Sequence, residues 1–207
     1  MAYIKAMVGL CILVMVYQGI SNTDMSIVSQ LTHQHGNNWA GPVSTGLLYV
    51  GLGLTSLYNG YIGKYKFKYI FFVGSFGNTL YIATGVAFML LSFTTPTLIL
   101  IMLGSFAGGC LASVFFAAEY NYVNTLSRID GQEVKYFGML LMFNQVANVF
   151  GNILSSLLIE PLGQFNYLVV MVSIIVLVSF LFLKLPEPNF EGVRMPNEAS
   201  ETMITEI

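Results

Sequence analysis

Charge is what this sequence has least of. Only 9% of its 207 residues are Asp, Glu, Lys or Arg, against about 25% in ordinary soluble domains. A chain so poor in charge cannot cover a water-facing surface, and it offers no basic patch for a nucleic acid. Histidine and cysteine are scarce too, two of each. His33 and His35 stand two apart with no cysteine or acid beside them, which is not a zinc ligand pattern. Cys11 and Cys110 lie inside apolar runs and read as buried thiols, not as a disulfide. No glycine-rich stretch ends in Gly-Lys-Ser or Gly-Lys-Thr, so there is no phosphate loop. Without a Ser/His/Asp constellation either, the expectation is a protein that is not an enzyme and has no metal or organic cofactor, only bound lipid.

Apolar sequence is what remains: 56% of the chain is hydrophobic and the mean hydropathy is +0.73. A helix crosses the hydrocarbon core in about 20 residues. Apolar segments of that order fall at 4–32, 42–63, 68–92, 97–123, 136–159 and 166–184. They predict an all-α integral membrane domain over residues 1–184, followed by a polar tail over 185–207 that is rich in proline and glutamate. The first segment has no small-residue cleavage pattern and reads as a retained span. If the six segments all span, every Lys and Arg falls on the side of the N-terminus. The positive-inside rule then puts both ends on the cytoplasmic or matrix side. Lys64, Lys66 and Lys68 are expected to set that topology and to touch anionic headgroups.

The spans carry polar and small residues at helical spacing. Gln18, Asn22, Met25, Ser29 and Thr32 form a stripe on the first, and Asn144, Asn148, Gly151, Asn152 and Ser155 form one on the fifth, with Gln145 at its border. Gly104, Gly108 and Ala112 make a small-residue packing ridge on the fourth. Polar groups in hydrocarbon need internal partners, so spans one, four and five are expected in the interior. The sixth, almost wholly apolar, is expected to face lipid. Asp24 and Glu119 are the acids within spans, and an ionisable group there marks an ion or solute route by default. Counted from the expected span ends, the two lie about 20 Å apart along the membrane normal. The cavity or path candidates are therefore Asp24, Gln18, Asn22, Asn144, Gln145, Asn148, Asn152 and Glu119. The amide stripes also read as glue between helices.

Three spans carry a family resemblance. The run Lys135 to Gln145, continued by Gly151-Asn152-Ile153-Leu154-Ser155-Ser156, resembles the fifth span of the "uncoordinated ninety-three" family of ion-channel regulatory proteins, which belongs to the major facilitator superfamily. Ser44 to Tyr49 with Ser56-Leu57-Tyr58, and the small-residue run Leu103 to Tyr120, are similar to its second and fourth spans. The resemblance implies half of a twelve-span transporter, a 3+3 bundle of six helices. Glu119 stands where that family often has Gln, and the basic loop at Lys64 to Lys68 lacks its usual acidic partner.

These readings lead to an accessory or structural subunit of a larger membrane complex, derived from a half-transporter. A solute or ion transporter built from two copies is the alternative, and the resemblance adds a regulator of an ion channel or of membrane-protein trafficking. The expected partners are the bilayer and other membrane subunits or a second copy. The membrane is either the mitochondrial inner membrane or the plasma membrane and endomembranes.

Overall fold

The structure is a computed structural model that describes residues 3–34, 39–58, 66–91 and 94–188. Five α-helices account for nearly all of them: α1 (Ile4–Gln34), α2 (Ala40–Ser56), α3 (Phe67–Leu91), α4 (Thr95–Asp130) and α5 (Glu133–Phe182). Four are long and apolar enough to cross a membrane: Ile4–Val28 of α1, and α3, α4 and α5. This is compatible with an integral membrane protein.

The all-helical expectation stands, but six spans and the half-transporter arrangement built on them do not. Two findings overturn the count. First, α2 has only 17 residues, about 26 Å at 1.5 Å per residue, shorter than a hydrocarbon core of about 30 Å. Its helix closes at Ser56, and Leu57 and Tyr58 form a turn. Second, no loop separates the segments expected as spans five and six: both lie in α5, 50 residues long, whose two helical parts meet at a kink at Gly163. The chemistry of Pro161 and Gly163 predicts a loop between them. Helix runs through that stretch instead, and Gly163 alone leaves helical geometry, at φ 71° and ψ 158°.

The chain turns at Gly163, as the contacts along α1 make plain. Tyr136 lies at the start of α1, where Asp130 accepts hydrogen bonds from both the Tyr136 hydroxyl and the Tyr3 amide. Further along, Asn148 meets Asn22. Beyond the turn the order reverses: Tyr167 faces Asp24, and Phe182 lies back against Tyr17 with ring centroids 6.2 Å apart. Residues 164–182 thus have two faces: Val169, Val170, Leu177 and Phe180 stay exposed, while the other side packs inward. Tyr167, Leu168, Met171, Ile175, Val178 and Phe182 are all buried.

Helix ends follow local sequence. Thr94 and Thr97 form a reciprocal capping box at the start of α4, with proline in the first turn. Gly131, at φ 64°, closes α4 in the left-handed conformation that favours glycine. Nothing between Asn124 and Asp130 breaks a helix, so α4 runs seven residues past the expected end at 123. At α2 the N-cap position is held by Trp39, which makes no side-chain cap and is 54% exposed.

Packing is organised by α4, which lies along α2 and α3, while α1 lies along α5. A core of aromatic rings joins the two groups: Tyr17 of α1, Phe71 of α3, Phe115 of α4 and Phe182 of α5, with Phe71 stacked on Phe182 at 5.2 Å. Such pairs contribute about 0.5–1.5 kcal/mol each beyond their buried area. The six described basic residues, Lys5, Lys66, Lys68, Arg128, Lys135 and Lys184, flank one end of this bundle. That end is fixed by the Tyr3–Asp130–Tyr136 contacts and by the Tyr122 hydroxyl donating to the Pro186 carbonyl at 2.7 Å.

Candidate functional site

The polar interior is assembled around Glu119, which is fully buried on α4. Its Oε2 accepts a hydrogen bond from Gln18 Nε2 of α1 at 3.1 Å, and its Oε1 accepts one from Asn144 Nδ2 of α5 at 3.2 Å. Three helices therefore meet at one carboxyl group. One turn further along, Asn22 Nδ2 donates to Asn148 Oδ1 at 2.8 Å. The i, i+4 spacing of Gln18 and Asn22 on α1 faces the same spacing of Asn144 and Asn148 on α5, which gives a ladder of amides between two helices.

Close approach of those helices depends on glycine. A Cβ on Gly19 would lie 2.5 Å from the Ala147 carbonyl oxygen, and one on Gly151 would collide with the Gly19 carbonyl. The backbones of α1 and α5 thus touch in the manner of small-residue membrane contacts. The ridge of Gly104, Gly108 and Ala112 serves a different neighbour. It meets Thr84 and Gly77 of α3 and has no part in the amide ladder.

The depth expected for Glu119 needs correction. Because α4 continues to Asp130, Glu119 stands eleven residues from the helix end, not at its edge. Through Gln18 it is only six residues along α1 from Asp24, about 9 Å at the helical rise, against the 20 Å expected.

Asp24 is separate from the ladder. It is fully buried, and neither carboxylate oxygen has a hydrogen-bond partner among the described residues. The hydroxyl of Tyr167, also buried, is turned toward it and is its one side-chain neighbour placed to donate a hydrogen bond. Tyr167 lies 143 positions away in sequence, and no spacing signal could have found it.

The remaining candidates are spread out. Gln145 and Asn152 are exposed on the outer face of α5. Asn22 also lines a cleft of about 490 Å³ between α1 and α2, together with Met25, Ser26, Thr45 and Tyr49. The volume falls within the range of small-molecule sites, and none of these lining residues is charged. Lys66 and Lys68 lie at the start of α3. There Glu187 accepts hydrogen bonds from the backbone amides of Phe67 and Lys68 at 3.2 Å each, an acid placed at a helix N-terminus. An acid from the far end of the described chain thus caps α3. Lys64, His35, residues 189–207 of the tail and the side chains of Ser29, Thr32 and His33 lie outside the described residues. Cys11 and Cys110 are free thiols, and the described residues contain no group of three or more His, Cys, Asp or Glu placed to hold a metal ion.

Compared with known proteins, the chain matches no family model, no curated protein and no solved structure. What characterises it are the four apolar helices and a polar ladder that is buried at Gln18 and Glu119 and exposed at Asn22 and Asn148.

Proposed function

We propose that the chain is a non-catalytic membrane subunit that works in contact with another membrane protein. The observation that carries this reading is the outer face of α5. Gln145, Asn148, Asn152 and Ser156 are exposed there at helical spacing, in an element otherwise apolar enough to span. Met142, Val149, Ile153 and Leu157 flank them and are more than half exposed. Lipid tails offer exposed amides no hydrogen-bond partner; apart from the Asn148 oxygen, which Asn22 occupies, a neighbouring helix satisfies them at about 0.6 kcal/mol per bond. A shallow depression lined by Val149, Asn152, Ile153, Ser156 and Leu157 gives that helix a seat.

The test is native mass measurement of the protein extracted in mild detergent from its own membrane. The expected result is a particle heavier than the 22.8 kDa chain. A cysteine at position 152 is expected to cross-link to the partner, and one at exposed Leu54 on α2 is not. A lone monomer with no cross-link at either position would end this reading.

The cleft beside Asn22 favours a second reading, solute movement by a pair of copies. Asn22 joins the cleft to the exposed α5 face through its bond to Asn148, so a second copy covering that face would extend the polar lining. Reconstituted protein would then move an uncharged polar solute. Flux equal to empty liposomes across a broad solute panel would remove it.

A further inference from the structure

We propose that Asp24 and Tyr167 form a binding site for one small monovalent cation, a hydrogen ion or an alkali-metal ion. Three oxygens converge from two helices, both of Asp24 and the hydroxyl of Tyr167, and all three are buried with no hydrogen-bond partner among the described residues beyond one another. Buried polar atoms are almost always paired, and those that are not point to an ion, a water or a chemical role. A water would satisfy hydrogen bonds but leave the charge. A carboxylate in an apolar interior is strongly disfavoured unless that charge is compensated.

No described side chain compensates it. Lys5, at the basic end of the bundle, is nineteen residues away along α1, about 28 Å at the helical rise. The neighbouring Thr23 hydroxyl is turned to the Gly19 carbonyl at 3.0 Å. Ile27 and Val28 are apolar and buried, and Val28 packs toward Gly85 of α3. The titratable group facing Asp24 from α5 is Tyr167. On α4 Glu119 is engaged by Gln18 and Asn144, and on α3 Tyr81 is turned toward Ser44 and Thr45 of α2. One carboxylate balances one positive charge, and a divalent ion would leave a net charge in the apolar interior, so the occupant carries a single charge. The site does not depend on whether α5 has a membrane partner, and the following test is made on the isolated chain.

Thermal unfolding of the full-length chain in nanodiscs of uncharged lipid tests the site. Sodium or potassium replaces choline at constant pH in one series, and pH falls in choline alone in the other. A ligand that binds only the folded state raises its stability with concentration. If the occupant is an alkali ion, the midpoint rises in the first series; if it is a hydrogen ion, it rises in the second. Asp24→Asn is expected to abolish the response and Tyr167→Phe to weaken it several-fold, while Glu119→Gln retains it. Identical responses from wild type and Asp24→Asn would overturn the site. Should Asp24→Asn fail to fold, aspartate-labelled infrared spectra decide, because Asp24 and Asp130 are the two aspartates in the chain. An un-ionised Asp24 acid supports the hydrogen ion, and an ionised, alkali-sensitive carboxylate supports the metal. An ionised carboxylate indifferent to alkali ions overturns both.

Discussion

Glu119 shows how much a single buried group can organise. Its two oxygens are shared between helices α1 and α5 through Gln18 and Asn144. Its substitution should therefore couple to both amides and not to residues outside the node. A double-mutant cycle of Glu119→Gln with Gln18→Leu is expected to give a coupling of about 0.6 kcal/mol, and no more than about 1.7 kcal/mol. The same cycle with Ser179→Ala, whose hydroxyl serves only its own helix at Ile175, is expected to give none. At the start of α3, Glu187→Ala removes the carboxylate that caps two backbone amides, and a loss of about 1 kcal/mol is expected. Unfolding in detergent micelles measures both. The amide stripes were readable from sequence because helical periodicity aligns Gln18 with Asn22 and Asn144 with Asn148. Their carboxyl partner was readable only as a residue type. Pairings across 101 or 143 positions, Gln18 with Glu119 or Asp24 with Tyr167, come from how helices pack, and local pattern does not encode that.

At the scale of helices, the sequence was most misleading where it placed boundaries. Composition located the apolar stretches, but neither the extra two turns of α4 nor the early end of α2 follows from hydropathy, which is blind to backbone geometry. The region around Pro161 carries loop chemistry, and the chain does turn there, but at a kink of one non-helical residue, Gly163, and not through a loop. That departure lies in a region of backbone space used almost solely by glycine, so Gly163→Ala is expected to cost about 1–3 kcal/mol. Where α1 touches α5, Gly151→Leu must push the helices apart and is expected to cost at least about 1–3 kcal/mol, as overpacking does. Gly138 of the same helix has open space around it, with no neighbouring atom within 4 Å of where an alanine methyl would stand. Gly138→Ala is therefore expected to be neutral, or stabilising by up to about 1 kcal/mol through helix propensity. Chemical unfolding of these three variants side by side separates backbone strain, crowding and propensity.

For the molecule as a whole, the distribution of polarity matters more than its amount. Basic side chains flank one end, a carboxyl-centred node lies within the bundle, and one flank of α5 leaves amides uncovered. Replacing Gln145, Asn148 and Asn152 together by Leu would strip that flank of its side-chain amides. Covering it by protein would then gain no hydrogen bonds, and the heavier particle is expected to dissociate more readily in detergent, as native mass measurement would register. The uneven flank was visible in sequence as a stripe. Which side of α5 it occupied was not, because either face of that stripe could have been turned inward until Gly19 and Gly151 fixed the contact.

Trp39 at the head of α2 gives the shortest helix its own optical label. It is the one tryptophan in the chain, and it is 54% exposed at the helix N-cap. Its ultraviolet emission therefore reports the polarity and depth of that end of α2 alone, with the buried tyrosines feeding it energy from the core. Quenchers fixed at graded depths in a vesicle would read from this single fluorophore whether α2 starts in the headgroup layer or beneath it.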